Sequence, residues 1–222
     1  MLLINSFRCG VGVVVLLFSS ISNSCDLSLR NGFGPWDYYS PLSSAPTGAN
    51  PSGAIKRVTN VHLTPNMLAM KSGNTSHSIS PDLSYTLRAI PNHPQALDLA
   101  SRIAYAKLHY GSLPKWQREN PPLTVECYLQ RALKVNPSAP LTYMIYGIHN
   151  HRMGNYEDAL KNYLDASALG FDSAELKYNM GLTYFELKQY QQAYDSAKVA
   201  YANGYPFPGL RNKLMANGTW EP

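Results

Sequence analysis

The side chains able to do chemistry are few in this chain of 222 residues, and they are scattered. Six histidines stand at 62, 77, 93, 109, 149 and 151, and three cysteines at 9, 25 and 127. His149 and His151 are two apart on a predicted helix, about 200° around its axis, so they cannot chelate one ion from one face. No HExxH, Walker A, GxSxG or dinucleotide-binding glycine run occurs. Cys127 is imaginable as a nucleophile, but Glu126 beside it would disfavour a thiolate. Lys115, Trp116 and Arg118 form a basic, aromatic loop that reads as a solvated or docking segment. Asn74-Thr75-Ser76 and Asn217-Gly218-Thr219 match the N-glycosylation pattern, which matters only in a eukaryotic setting. The expectation is therefore no catalytic residue, no metal and no cofactor.

The cysteines find a simpler use once the compartment is read. Residues 1–24 carry one early positive charge, a short apolar stretch from Val11 to Phe18, and small polar residues up to Ser24. That stretch is too short to span a bilayer as a helix, and it has the form of a secretory signal. Export would remove Cys9 and leave Cys25 and Cys127, a pair expected to form a disulfide in an oxidising compartment. The rival is a lipid anchor on Cys25, against which Ile21-Ser22-Asn23-Ser24 lacks the usual Leu-small-small run. Hydrophobic residues at 45% exclude a wholly disordered chain. A net charge of +5 without Lys or Arg runs points away from nucleic acid.

The elements that must position any site are set by an internal repeat. The interval from Gly147 to Gly181 is also the interval from Tyr156 to Tyr190, from Ala159 to Ala193, and from Ala166 to Ala200. Small residues at fixed spacing let two helix backbones approach while Tyr and Leu fill the flanks. A period of about 34 residues is that of the tetratricopeptide repeat (TPR). Tyr143, Tyr146-Gly147, Ala159, Tyr163 and Ala166, then Met180-Gly181, Tyr184, Ala193 and Ala200, resemble the pattern of that family. Lys177, Asn150 and Ala197 depart from it, and Phe171 and Tyr205 replace its final Pro. Gly170 and Gly204 are expected to end the second helices instead.

The resemblance implies an all-α TPR solenoid over residues 65–217. Its repeats run over 65–93 (degenerate), 94–139 (with an inserted loop), 140–173 and 174–207, followed by a capping helix at 208–217. Residues 25–64 are rich in Gly, Pro and Ser yet contain Phe33, Trp36, Tyr38 and Tyr39. They are expected to be an irregular arm packed along the outside of the helices.

In TPR proteins the first helices line a concave groove. The matching positions here are Gln95, Asp98, Arg102 and Tyr105; Met144, Ile148, His151 and Arg152; and Tyr178, Leu182, Phe185 and Glu186. The Lys and Asn pairs of a carboxylate clamp are missing, so that use is not carried over. A groove of this composition suits a protein or peptide partner with apolar anchors. The resulting expectation is a non-catalytic scaffold or adaptor in a periplasmic, cell-envelope process, resembling small exported bacterial TPR proteins. The alternatives are an accessory subunit of an envelope enzyme or transporter complex, and a lipoprotein anchored through Cys25.

Overall fold

The structure, a computed structural model, describes residues 25–48, 52–74, 78–110 and 121–220. The signal segment expected over 1–24, His77 and the Lys115–Trp116–Arg118 loop lie outside the described residues. Within them the chain is all-α, with eleven helices and no strand. These are α1 (Pro41–Ser44), α2 (Ala54–His62), α3 (Pro65–Leu68), α4 (Ile79–Ala89), α5 (Pro94–His109) and α6 (Val125–Val135), then α7 (Pro140–Arg152), α8 (Tyr156–Ala168), α9 (Ala174–Glu186), α10 (Tyr190–Ala202) and α11 (Gly209–Ala216). No described helix is long and apolar enough to cross a membrane.

Both bounds of α9 fall one full repeat after those of α7, and both bounds of α10 fall one full repeat after those of α8. Local chemistry sets these limits. Pro140 opens α7, where its missing N–H costs nothing. The Ser173 hydroxyl caps α9, accepting from the Leu176 N–H at 3.0 Å. Beyond α8 and α10 the chain turns through Gly170 at φ 86° and Gly204 at φ 80°. There Phe171 N–H donates back to Ala166 and Tyr205 N–H to Ala200, each at 3.0 Å. Glycine thus supplies both helix stops, as its tolerance of left-handed backbone allows.

Small residues lie where these helices meet. A Cβ on Gly147 would overlap the ring of Tyr163 across the α7–α8 contact. A Cβ on Gly181 would overlap Leu210 Cδ2 and stand 3.3 Å from the Ala193 carbonyl oxygen. The residue one repeat after Tyr163 is Ala197, so α9 and α10 lack that ring, and Leu210 of α11 occupies the space by Gly181 instead. Buried side chains then follow in three successive groups. One is built on Leu83, Leu87, Leu97, Ile103, Tyr128 and Leu129. The next is Met144, Ala159, Tyr163, Ala166, Leu176 and Met180. The last is Tyr178, Ala193, Ala197, Ala200, Leu210 and Leu214.

The N-terminal stretch differs from expectation in one respect. It is not irregular throughout, because α1 and the nine-residue α2 lie within residues 25–64. Ala54 and Val58, one turn apart, are buried, which makes α2 amphipathic despite its Gly- and Pro-rich surroundings. Phe33, Trp36 and Tyr38 pack against Val58, Ala89 and Ile90, so the aromatics do anchor the arm on α2 and α4. Trp36 N–H donates to the Ala89 carbonyl at 2.8 Å. A disulfide joins Cys25 to Cys127 on α6, with the Cα atoms 5.3 Å apart. The bond uses the sulfur that a thioether-linked lipid would need. Arg131 and Lys134, also on α6, donate to the backbone carbonyls of Asp26 and Leu27.

Candidate functional site

The expected groove residues do not form one surface. Gln95, Asp98 and Arg102 of α5 and Met144, Ile148 and Arg152 of α7 line a single cleft of about 440 Å³, closed by Leu68, Pro94, Leu141, Ile145 and Glu175. Met144 is only 1% exposed and packs with Leu176 and Tyr163, so it is floor and core rather than a contact point for a partner. Tyr105 and His151 lie in a neighbouring hollow of about 390 Å³ that shares Arg152 with the cleft. The Tyr105 ring lies on His109 at 4.1 Å. His151 Nδ1 is 2.8 Å from the Thr183 hydroxyl, and burial pushes the His151 imidazole pKa below its ordinary value.

The four α9 positions are occupied from within. Tyr178 is buried and stacks on Tyr205 at 4.1 Å. Leu182 and Phe185 pack on the group containing Leu210 and Leu214. Glu186 accepts from Lys213 at 2.8 Å, and the same ammonium lies 5.2 Å from the Phe185 ring centre. These residues all lie on α9, and α11 packs against them. The cleft is lined mainly by α5 and α7, with Leu68 of α3 and Glu175 of α9 also on its wall.

Two arginines organise that cleft. Asp98 Oδ2 accepts from Arg102 Nε at 2.9 Å, and Oδ1 accepts from Arg152 Nη1 at 2.8 Å. Arg152 Nη1 also reaches the Ser101 hydroxyl at 3.0 Å, and Arg102 Nη1 donates to the Leu68 carbonyl at 3.0 Å. Behind Ser101 stands His149, its Nδ1 3.1 Å from the hydroxyl and its Nε2 3.1 Å from Glu126 Oε1. The ring thus bridges the two, one nitrogen facing the Ser101 hydroxyl and the other the Glu126 carboxylate. The hydrogen bond from His149 is the main reason the Glu126 carboxyl is held down at about 2.

Serine, histidine and glutamate in a row have the composition of a hydrolase triad. Here Ser101 is fully buried and accepts from Arg152, so its oxygen is aimed into the protein. His149, at 1% exposure, is likewise buried. The row is a polar brace joining α6, α7 and α5 behind the cleft. Among the described residues, no group of three His, Cys, Asp or Glu side chains is placed to hold a metal ion.

Sequence reasoning places Asp98 and Arg102 among the groove positions but does not pair them, and it misses the partners of Arg152 and His149. Ser101 carries only the signal of a small residue at a helix contact, and nothing in its spacing ties it to positions 149 and 152. Comparison with models of known protein families gave no match, and no curated protein matches the chain.

Proposed function

We propose that the chain is a TPR protein, an α-solenoid of stacked helical hairpins that acts after export as a non-catalytic adaptor in the cell envelope. The observation that carries this reading is the constant offset of helix bounds between α7–α8 and α9–α10. Contact chemistry repeats with it. Met144 packs with Leu176, and one repeat later Tyr178 packs with Leu210. The next glycine position, one repeat after Gly181, is Met215, which is 48% exposed on α11. A methionine there blocks the close approach of a further helix, as befits a terminal cap.

Function follows from what the stack leaves open. The α5–α7 cleft combines aliphatic walls with guanidinium donors, the composition of a site for a protein segment with apolar anchors. The Cys25–Cys127 disulfide supports an oxidising compartment, consistent with removal of residues 1–24 on export. Affinity capture from envelope extract tests the reading, with the wild-type chain compared against Ile148→Glu combined with Arg152→Glu. A partner held by the wild type and lost by a variant of unchanged circular dichroism supports it. Equal retention by both, or no retained protein, would refute it. Mass analysis of the exported protein should show a chain beginning at Cys25.

A further inference from the structure

Three Asn–Gly pairs lie within the described residues: Asn31–Gly32 in the arm, Asn203–Gly204 beyond α10 and Asn217–Gly218 beyond α11. An asparagine followed by glycine can react with its own backbone. The glycine nitrogen attacks the asparagine Cγ, a ring closes through the new C–N bond, and the side-chain nitrogen leaves as ammonia. Water then opens the imide at either carbonyl, giving aspartate or its backbone-extended isomer, isoaspartate. Glycine suits the attack because no Cβ stands in the way. The glycine nitrogen must also be free, and the backbone must be able to turn it towards Cγ.

The three pairs differ in these last respects. Gly204 N–H donates to the Tyr201 carbonyl and Gly218 N–H to the Met215 carbonyl, each at 3.0 Å. The residues that follow, Tyr205 and Thr219, donate back into their helices at 3.0 and 2.9 Å. Ring closure at either site would break a helix stop built on glycine at φ 80° or 75°. In the arm, by contrast, the N–H groups of Gly32 and Phe33 have no backbone acceptor among the described residues. Gly32 is exposed, with nothing within 4 Å of where its Cβ would stand. The Asn31 side chain reaches forward across it, Nδ2–H donating to the Phe33 carbonyl at 2.6 Å. That bond folds the side-chain amide over the Gly32 peptide, which brings Cγ to the side of the attacking nitrogen.

We infer that Asn31 is the preferred site of spontaneous deamidation among the three, and that its conversion loosens the arm. The product carboxylate has no N–H for the Phe33 carbonyl and sets two acceptors against each other. Isoaspartate also lengthens the backbone between Cys25, fixed by its disulfide, and Phe33, which packs with Val58, Ala89 and Ile90.

The test holds the full chain, disulfide intact, in mildly alkaline buffer and follows each Asn–Gly peptide by mass spectrometry for conversion of amide to acid. Asn31 should convert roughly tenfold faster than Asn203 or Asn217, which react only when their helix ends open. In urea with reductant the three rates should draw together. Gly32→Ala, whose methyl meets no neighbour, should slow Asn31 several-fold without moving the thermal melt. Asn31→Asp should melt below wild type. Equal rates at the three sites of the folded chain, a faster rate at Asn203 or Asn217, a gap that persists in urea, or an Asn31 rate unchanged in Gly32→Ala would overturn the assignment. An Asn31→Asp melting temperature equal to wild type would overturn the loosening of the arm. The adaptor reading stands or falls separately, on envelope capture.

Discussion

The carboxylate of Asp37 accepts a 2.6 Å hydrogen bond from the side chain of Asn92, which is fully buried at the turn between α4 and α5. The second carboxylate oxygen accepts from Asn136 at 2.9 Å, beyond the end of α6. Asn92 in turn accepts from the Tyr38 N–H at 2.8 Å. One arm residue thereby ties together two separate helix ends, and the arm acts as a strap as well as a hydrophobic cover.

Asp37→Ala should therefore cost about 1–3 kcal/mol, because it strands the buried Asn92 amide without its acceptor. Asp37→Asn keeps an acceptor and should cost less. Urea unfolding at constant m-value measures both, and an Asp37→Ala midpoint equal to wild type would contradict the strap.

The disulfide adds a covalent constraint to the same strap. It closes a loop of 102 residues in sequence separation. Cys25→Ser with Cys127→Ser should lose about 2–4 kcal/mol while retaining helical circular dichroism, because the arm keeps its bonds to Arg131 and Lys134. Reductant should lower the melting temperature of wild type and leave that of the double variant unchanged. Equal sensitivity in both would argue against the bond.

His93 makes the fold sensitive to mild acid. Its Nδ1 accepts from the Ala96 N–H at the start of α5, and burial draws its pKa from 6.5 down to about 4. The unfolded chain therefore binds a proton below pH 6.5 that the folded chain refuses until about pH 4. Stability is complete above 6.5 and falls across that window, by up to about 3 kcal/mol. His151, also lowered by burial, adds a slope of the same sign. His93→Asn keeps a capping side chain and should flatten most of the dependence between pH 6.5 and 4. An unchanged slope in that variant would refute the assignment.

Lys188 adopts φ 59° in the turn between α9 and α10, where its counterpart one repeat earlier is Gly154 at φ 81°. A lysine there carries backbone strain that glycine does not. Lys188→Gly should raise stability by about 0.5–1 kcal/mol after glycine's larger entropy loss is counted. A lower melting temperature would show that the turn is unstrained.

These features were unequally legible in the sequence. The hairpins α7–α8 and α9–α10 could be read from spacing, because close helix contact dictates residue size at particular positions. The arm's packing was legible from Phe33, Trp36 and Tyr38, which a free linker has no reason to keep. Helix α2 was hidden because its buried residues, Ala54 and Val58, give too short a pattern amid turn formers. The open cleft was half legible. Asp98 and Arg102 lie on one helix face, whereas the Arg152–Asp98 and His149–Ser101 contacts depend on how α7 lies on α5. The covering of Tyr178 and Phe185 by α11 likewise depends on how the helices lie on one another, and a capping helix read from sequence does not say which of the expected groove positions it covers.

The account rests above all on backbones brought together at small residues, and the Gly147–Tyr163 contact tests this most directly through a double-mutant cycle. Alanine is the better helix former by about 1 kcal/mol, but at position 147 its methyl meets a buried ring, and overpacking costs about 1–3 kcal/mol. Gly147→Ala should thus destabilise the wild-type chain. In a Tyr163→Ala background the ring is gone and the same change should stabilise by about 0.5–1 kcal/mol. A reversal of sign in urea unfolding is the predicted result, and an effect of equal size and sign in both backgrounds would contradict the account.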